Sequence, residues 1–545
     1  MKDRTRRGLD VLQAALILGA AGDVLLRATP WGLNLLLWIL LALVAGLTLL
    51  ARWRRAALTS EGRLIILPLV FFAACFVWRD SPTLKLLDAV AILLALSLSV
   101  LRTRAVSIRL ASMKEHAVAL VMTVFDVVLG LPTVVLGDVE WKEIQHARWS
   151  RYAGAIARGM LIAVPLILLF GGLLMAADAV FEGLIQSAFN LDGEILFSHF
   201  GLTVVFSWVA AGVLRGLLED RDAVLANSDD AALRSLNLTA PGGNRAEKNE
   251  SEQKSMQAEA PLTHRKPSLG IVEVGVVLGL IDLLFLAFVT VQIRYFFGGA
   301  ALVQATTGLT YAEYARRGFF ELVWVAALVL PLLLAAHWLL RKENPLHERI
   351  FRVLAGAQVA LLFVIMASAM ERVRLYQSEY GLTEQRLYTM AFMMWLALVF
   401  LWFIWTVLRG ARERFTSGAL AAAFVITGLI HVANPDDLIV RANISHAEMQ
   451  GRGFDALYAA GLSADAVPAL AASLPVMTGQ ERCTVARALL NRWPEGRGQD
   501  WRTWNVARSR AQEIVRENVQ GLRAVNCAQA EGREPSDNVI ARIKE

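Results

Sequence analysis

Charge is scarce in this chain, and so is anything that would staple or metallate a small fold. Of its 545 residues only 19% are Asp, Glu, Lys or Arg, while 56% are hydrophobic. A soluble globular domain is nearer one quarter charged, so that class is excluded. Three cysteines are too few for a disulfide framework, and Cys75, inside an apolar run, reads as a small core residue. The eight histidines are scattered, without the i, i+4 spacing of a zinc helix, so no metal is expected. There is no glycine-rich phosphate loop, no Gly-x-Ser-x-Gly elbow and no Ser/His/Asp set, so neither a cofactor nor a catalytic residue is expected. The first apolar stretch lacks a small-residue cleavage site and leads into further spans, unlike a cleavable signal peptide.

What the chain has in abundance is long apolar runs. A span needs about 20 predominantly apolar residues. Runs near that length cover 9–26, 32–50, 64–78, 86–101, 159–180, 201–218, 269–295, 319–340, 350–370, 388–408 and 417–433, about eleven in all. The formal charge of +6 would suit nucleic acid. Here, however, Lys and Arg sit in short loops between apolar runs, the pattern that orients a chain in a bilayer. The expected partner is therefore the lipid bilayer, not nucleic acid.

The basic loops order the spans. Lys2, Arg4, Arg6 and Arg7 hold the N-terminus in the cytoplasm, and 52–63, 102–114, 142–158, 215–266, 341–352 and 409–414 follow on that side. The stretch 181–200, with no Lys or Arg, belongs outside. This alternation holds only if 117–136, interrupted by Asp126 and Gly130-Leu131-Pro132, does not cross. It is read as a re-entrant or interfacial helical pair, which leaves the C-terminal region outside. The resulting plan is N-terminal transmembrane helices (1–116), the re-entrant or interfacial segment (117–158) and a transmembrane pair (159–218). A cytoplasmic linker (219–268) too polar to fold alone, a core transmembrane domain (269–433) and an extracytoplasmic helical domain (434–545) complete it. The fold class is all-α: a polytopic helical membrane protein with a helical tail, in which Ser463 and Asp465 open a helix.

Polar residues gain meaning from this frame. Asp282 lies mid-span, with Gln292 further along the same run; an ionisable side chain in lipid is costly and faces the bundle interior. It serves either as a proton or cation site or as a packing hydrogen bond. At the outer mouth, Glu313, Arg317 and Glu321 form an i, i+4 ladder flanked by Arg316, Tyr311 and Tyr314. This is either an interfacial anchor belt or part of a site. On the same side lie Tyr380, Thr383, Arg386 and Tyr388, and then Asn434, Asp436, Arg441 and Asn443. Cys483 and Cys527 fall outside the cytoplasm, where disulfides persist. A bridge there would stabilise the tail by roughly 4 kcal/mol; two free buried thiols are the alternative.

Four stretches together resemble a known family: Tyr311-Ala-Glu-Tyr-Ala-Arg-Arg-Gly-Phe319, the 380–388 segment, Asn434-Pro-Asp436 with Arg441 and Asn443, and Phe288–Gly299. Asp500-Trp-Arg-Thr-Trp-Asn505 extends the likeness into the tail. The family is bacterial, polytopic and catalogued only as a domain of unknown function, numbered 4173, with a close relative numbered 4153. The resemblance implies a bacterial inner-membrane protein and no activity.

Three functions stay open. The first is an envelope sensory, regulatory or scaffold protein whose outer motifs and tail bind an envelope protein or ligand. The second is a secondary transporter or channel using Asp282, with Gly171-Gly172 and Gly298-Gly299 as helix breaks. The third is a membrane enzyme acting on envelope lipid-linked substrates, the least favoured because no catalytic signature supports it. The topology is checked directly: a reporter active only outside the cytoplasm, fused after Glu545, is expected to be active. An inactive fusion would mean that 117–136 crosses.

Overall fold

The structure, a computed structural model, describes residues 3–54, 60–103, 107–108, 110–140, 193–218, 270–307, 319–340, 344–450, 453–494, 500–525 and 527. Helix is the only extended regular structure among them. In lipid every backbone N–H and C=O must find its partner within the protein, and a helix does this within one segment. Among the described residues, ten helices are long and apolar enough to cross a membrane. Nine coincide with expected spans, and the tenth is Met113–Asp138. The described part of the expected span at 64–78 is a shorter apolar helix, and 159–180 lies outside the described residues, as does the linker at 219–268.

The chain divides into two compact units, Met1–Arg221 with Pro494–Gln512 and Asp222–Trp493 with Glu513–Glu545. In the first, α1 (Asp3–Leu26), α2 (Leu33–Arg54), α3 (Ser60–Trp78), α4 (Pro82–Thr103), α5 (Met113–Thr133) and α6 (Gly193–Leu218) pack together. α1 and α6 run antiparallel around Val11, Ala15, Leu18, Ala211 and Leu214. A buried or half-buried aspartate latches each end of this pair. Asp23 lies 3.4 Å from Arg27 Nε and 2.5 Å from His199 Nδ1. At the other end Asp138 receives Arg4 at 3.0 Å and Arg215 at 2.7 Å.

α5 differs from the expected broken pair. It begins at a capping box formed by Ser112 and Glu115 and runs unbroken through Gly130 and Pro132 into a π-helical turn, Val134–Asp138. Two contacts explain the continuity. Proline has no N–H for the carbonyl four residues back, and that carbonyl, of Val128, accepts the Trp208 indole N–H of α6 at 2.8 Å. Gly130 meets Gly212 backbone to backbone, and a Cβ on Gly212 would lie 2.8 Å from Val127 Cα. Small residues of this kind set close approach where lipid supplies no hydrophobic drive.

A tail segment completes this unit. Trp504 accepts the Leu33 N–H at 2.9 Å through its carbonyl. Asn505, fully buried, donates to the carbonyls of Phe76 (2.8 Å) and Arg79 (2.9 Å). Arg508 reaches Thr503 O at 2.6 Å, Pro30 O at 3.4 Å and Asp80 at 3.6 Å. Burial pushes its guanidinium below the usual range, and Asp80 opposes that. The 500–508 stretch thus clamps the α1–α2 and α3–α4 turns, the ends remote from Arg4.

The second unit holds α7 (Ile271–Thr307), α8 (Phe319–Leu339), α9 (Pro345–Tyr380), α10 (Glu384–Thr406) and α11 (Phe415–Ala433), then α12 (Pro435–Gln450) and the short tail helices. These are α13 (Ala456–Gly461), α14 (Val467–Ser473) and α15 (Gly479–Arg492); α16 (Val506–Glu517) spans the division between the units, and α17 (Val519–Arg523) follows it. The core joins α7 to α10 through Leu278, Leu333, Phe351, Leu362, Phe400 and Phe403. In the tail, Cys483 and Cys527 are bridged with Cα atoms 5.4 Å apart.

Replacing Gly212 by Leu is expected to wedge α5 from α6 and lower stability by about 1–3 kcal/mol, read as a fall in the unfolding midpoint in detergent. Gly201→Ala, where a Cβ meets nothing within 4 Å, should leave the midpoint unchanged.

Candidate functional site

The second unit brings two of the three polar stretches together. α9 ends on Gly381, whose φ of 72° is a left-handed conformation that favours glycine. A Cβ there would also lie 2.6 Å from Asn443 Oδ1. The next residue, Leu382, exchanges both of its peptide groups with the Asn443 carboxamide. Its N–H donates to Oδ1 at 2.5 Å, and Asn443 Nδ2 donates to its carbonyl at 2.8 Å. A side chain sixty-one positions away thereby acts as a strand partner for a single residue.

Arg386, one turn into α10, donates to Gly381 O and stacks over Tyr376, 4.1 Å from the ring centroid. Tyr376 in turn packs against Tyr380 at 4.7 Å. The start of α10 is capped from the tail. Thr383 occupies the N-cap position without a side-chain bond, and the Glu384 N–H donates to Tyr458 Oη at 2.9 Å. Burial raises the Tyr458 phenol above its ordinary value.

The second stretch folds back beside it. Asn434 takes a left-handed φ of 52° at the end of α11, a conformation asparagine tolerates. Pro435 starts α12, where its missing N–H is no loss. Asp436 and Asp437 fill the first turn, favoured by the helix dipole. Asp437 pairs outward with Arg441 at 2.6 Å, so Arg441 faces solvent, away from the buried group. Asp436 is 1% exposed. Its Oδ2 accepts the Ser463 N–H at 3.1 Å, whereas its Oδ1 has no partner. Ser463 in turn caps the next turn, accepting from Asp465 N at 3.2 Å. Burial pushes the Asp436 carboxyl up to about 6, the Ser463 hydrogen bonds pull it down, and Glu384 and Asp465 add repulsion. Arg386, Glu384, Asp436, Ser463 and Tyr458 therefore form one polar layer joining α10 and α12 to the tail.

Other expected positions fall elsewhere. Tyr311, Glu313, Tyr314, Arg316 and Arg317 lie outside the described residues, while Glu321 and Gln292 sit on α8 and α7 with side chains outside that description. Tyr388 is half-buried on α10. Asp282 is half-buried on α7, and neither of its carboxylate oxygens has a partner. It belongs to a stripe, Ile271, Gly275, Leu278, Asp282, Phe285 and Val289, spaced alternately four and three apart as inward residues are. The facing stripe of α9 carries Gln358, 0% exposed and with both amide atoms unpartnered. Ser463 and Tyr458 were not anticipated as members of the layer. Ser463 was visible only as a helix cap, and a lone tyrosine in a polar tail carries no signal.

Ten helices of spanning length among the described residues, a polar layer at one end of the second unit and a packed helical tail define a multi-pass, all-helical membrane protein. Within that class, the chain belongs to the family described as a domain of unknown function, DUF4153, whose sequence model matches residues 66–473. The match is to the family the sequence motifs suggested second and not to the one numbered 4173, and the whole polar layer lies within the matched residues. No curated protein matches the chain, and no solved structure matches it.

The Asp436 carboxyl generates a pH prediction. Its folded-state value is raised, so the stability tied to its proton is complete below the unfolded value of 3.8 and is lost as pH rises through about 6. At neutral pH the ionised form costs about 3 kcal/mol. Asp436→Asn, which keeps the Ser463 contact, is expected to raise the unfolding midpoint at pH 7. It should also flatten the fall in stability between about pH 4 and about pH 6; an unchanged pH profile would contradict this account.

Proposed function

We propose that this protein is an envelope sensory or regulatory scaffold of a bacterial inner membrane, with its N-terminus cytoplasmic and its C-terminal helical domain extracytoplasmic. The layer of Arg386, Glu384, Asp436, Ser463 and Tyr458 is where an envelope protein or ligand is read. The observation that carries this is the way the layer is built. Residues 376–388, 434–443 and 458–465 are held by bonds to one another's backbones: Asn443 to Leu382, Tyr458 to Glu384 and Asp436 to Ser463. Anything that moves the tail must therefore also move the ends of α9 and α10. A relay needs such a shared element, with two arrangements that a ligand can bias.

Two observations support the orientation. The Asp500–Arg508 clamp binds the turns remote from the basic N-terminus, which favours an extracytoplasmic tail. Asp126, Val128 and Gly130 of α5 all meet the Trp208–Gly216 portion of α6, and Asp138 meets Arg4. A thirteen-residue stretch that stays beside the second half of α6 and the start of α1 favours a helix lying along the interface over one that crosses.

A second reading, transport, is favoured by the unpartnered polar atoms of Asp282 and Gln358, since each unmet group within the membrane costs several kcal/mol. One comparison separates the two. In cells lacking the native copy, Arg386→Ala is expected to abolish rescue of growth under envelope stress, and Asp282→Asn to retain it. The opposite pattern would replace the scaffold by a transporter.

A further inference from the structure

Beside the Leu382–Asn443 pair lies a cavity of about 300 Å³ between the last turns of α9 and the second half of α12. Arg374, Gln377 and Ser378 line it from α9, and Asn443, His446 and Met449 line it from α12. Among the described residues, the lining holds one permanent cation, one imidazole and several neutral polar groups, and no aspartate or glutamate.

The groups available to a ligand can be sorted. Asn443 is committed to Leu382 at both ends of its carboxamide, so it stiffens the wall and offers nothing. The Ser378 hydroxyl donates to Leu375 O at 2.7 Å. Arg374 is exposed, and its ion pair with Glu371, at 3.8 Å, is beyond hydrogen-bond reach. A guanidinium so placed keeps its planar fork of donors, suited to a carboxylate or phosphate. His446 is half-buried and its Nε2 has no partner, a deficit worth about 1–3 kcal/mol that a ligand oxygen or a water would relieve. At the rim, Met449 is 77% exposed and Tyr380, next to Gly381, is 59% exposed. The apolar run of α9 ends at Met370, one turn before Arg374, so the cavity stands just past the level where a span meets its headgroups.

We propose that this cavity binds an anion of the phosphate-ester class, with Arg374 as the principal contact and His446 as the second. The proposal rests on the outer-face reading above and names the chemistry of its ligand. The shared group is the phosphate. It arrives either on a lipid, whose chains would lie against Tyr380 and Met449, or free in solution.

The test uses the full chain purified in a neutral detergent, with the unfolding midpoint measured against added inorganic phosphate. Separate samples carry mixed micelles of anionic phosphatidylglycerol or of zwitterionic phosphatidylcholine. Wild type is expected to gain a few degrees with at least one anionic probe, as ligand binding to the folded state requires, and nothing with phosphatidylcholine. A gain with phosphatidylglycerol alone assigns the site to a lipid headgroup, and a gain with phosphate as well assigns it to the free ester. Arg374→Glu should weaken binding at least about tenfold, and His446→Leu should weaken it less. Because Arg374 is exposed, its ligand-free midpoint should match wild type; Arg374→Gln serves if the reversed charge lowers it. No gain in wild type, or a gain that survives both arginine variants, would overturn the anion site. If that happens while Arg386→Ala still fails in cells, the outer-face reading stands without this ligand. If Arg386→Ala is fully active, that reading falls as well.

Discussion

The absence of water in the membrane interior governs this protein. A backbone group left unmet there has no solvent to turn to, so each spanning run becomes a helix and each interruption needs a repair. Pro132 shows how local that requirement is. Its missing N–H leaves the Val128 carbonyl open, and Trp208 of a neighbouring helix closes it at 2.8 Å. The helix survives the proline because a second helix supplies the donor. In the same place, Gly130 and Gly212 remove the side chains that would keep that donor out of reach.

Polar chemistry is consequently pushed to the helix ends, where it does two jobs. In the first unit it latches. Asp23 and Asp138 hold opposite ends of the α1–α6 pair, and Asn505 gathers two backbone carbonyls from a turn far away in sequence. In the second unit it builds a layer in which backbone, not side chain, is the main thing recognised. Asn443 reads the peptide of Leu382, Tyr458 the N–H of Glu384, and Asp436 the N–H of Ser463. A layer of this kind is rigid where it is satisfied, and it is responsive at the one carboxylate oxygen, Asp436 Oδ1, that is not. Neutral amide contacts set the geometry, and one buried acid sets the sensitivity to charge.

The interior polar groups obey a different logic. Asp282 and Gln358 occupy inward stripes of α7 and α9 that are otherwise apolar. A residue on such a stripe escapes lipid but not desolvation, which makes it expensive to keep without a purpose. That tension is why a transport reading accompanies the scaffold reading.

Much of this was legible from the chain alone. Apolar runs of spanning length need only composition, because lipid makes helix obligatory. Asp436, Arg386 and Asn443 stood out in sequence as polar residues beside apolar runs. Their partners did not: Tyr458, Ser463 and the carbonyls of Phe76 and Arg79 are met across dozens to hundreds of residues, and no periodicity encodes such pairings. Arg441, equally conspicuous, turns out to serve an exposed i+4 pair with Asp437. The sequence by itself determined the class of the protein and nine of the helices apolar enough to span a membrane, since that depends on the transfer of each segment from water. Tertiary structure alone decided which polar residues meet, that α5 continues through its proline, and where the cavity beside Asn443 opens, since each depends on the distance between segments remote in the chain.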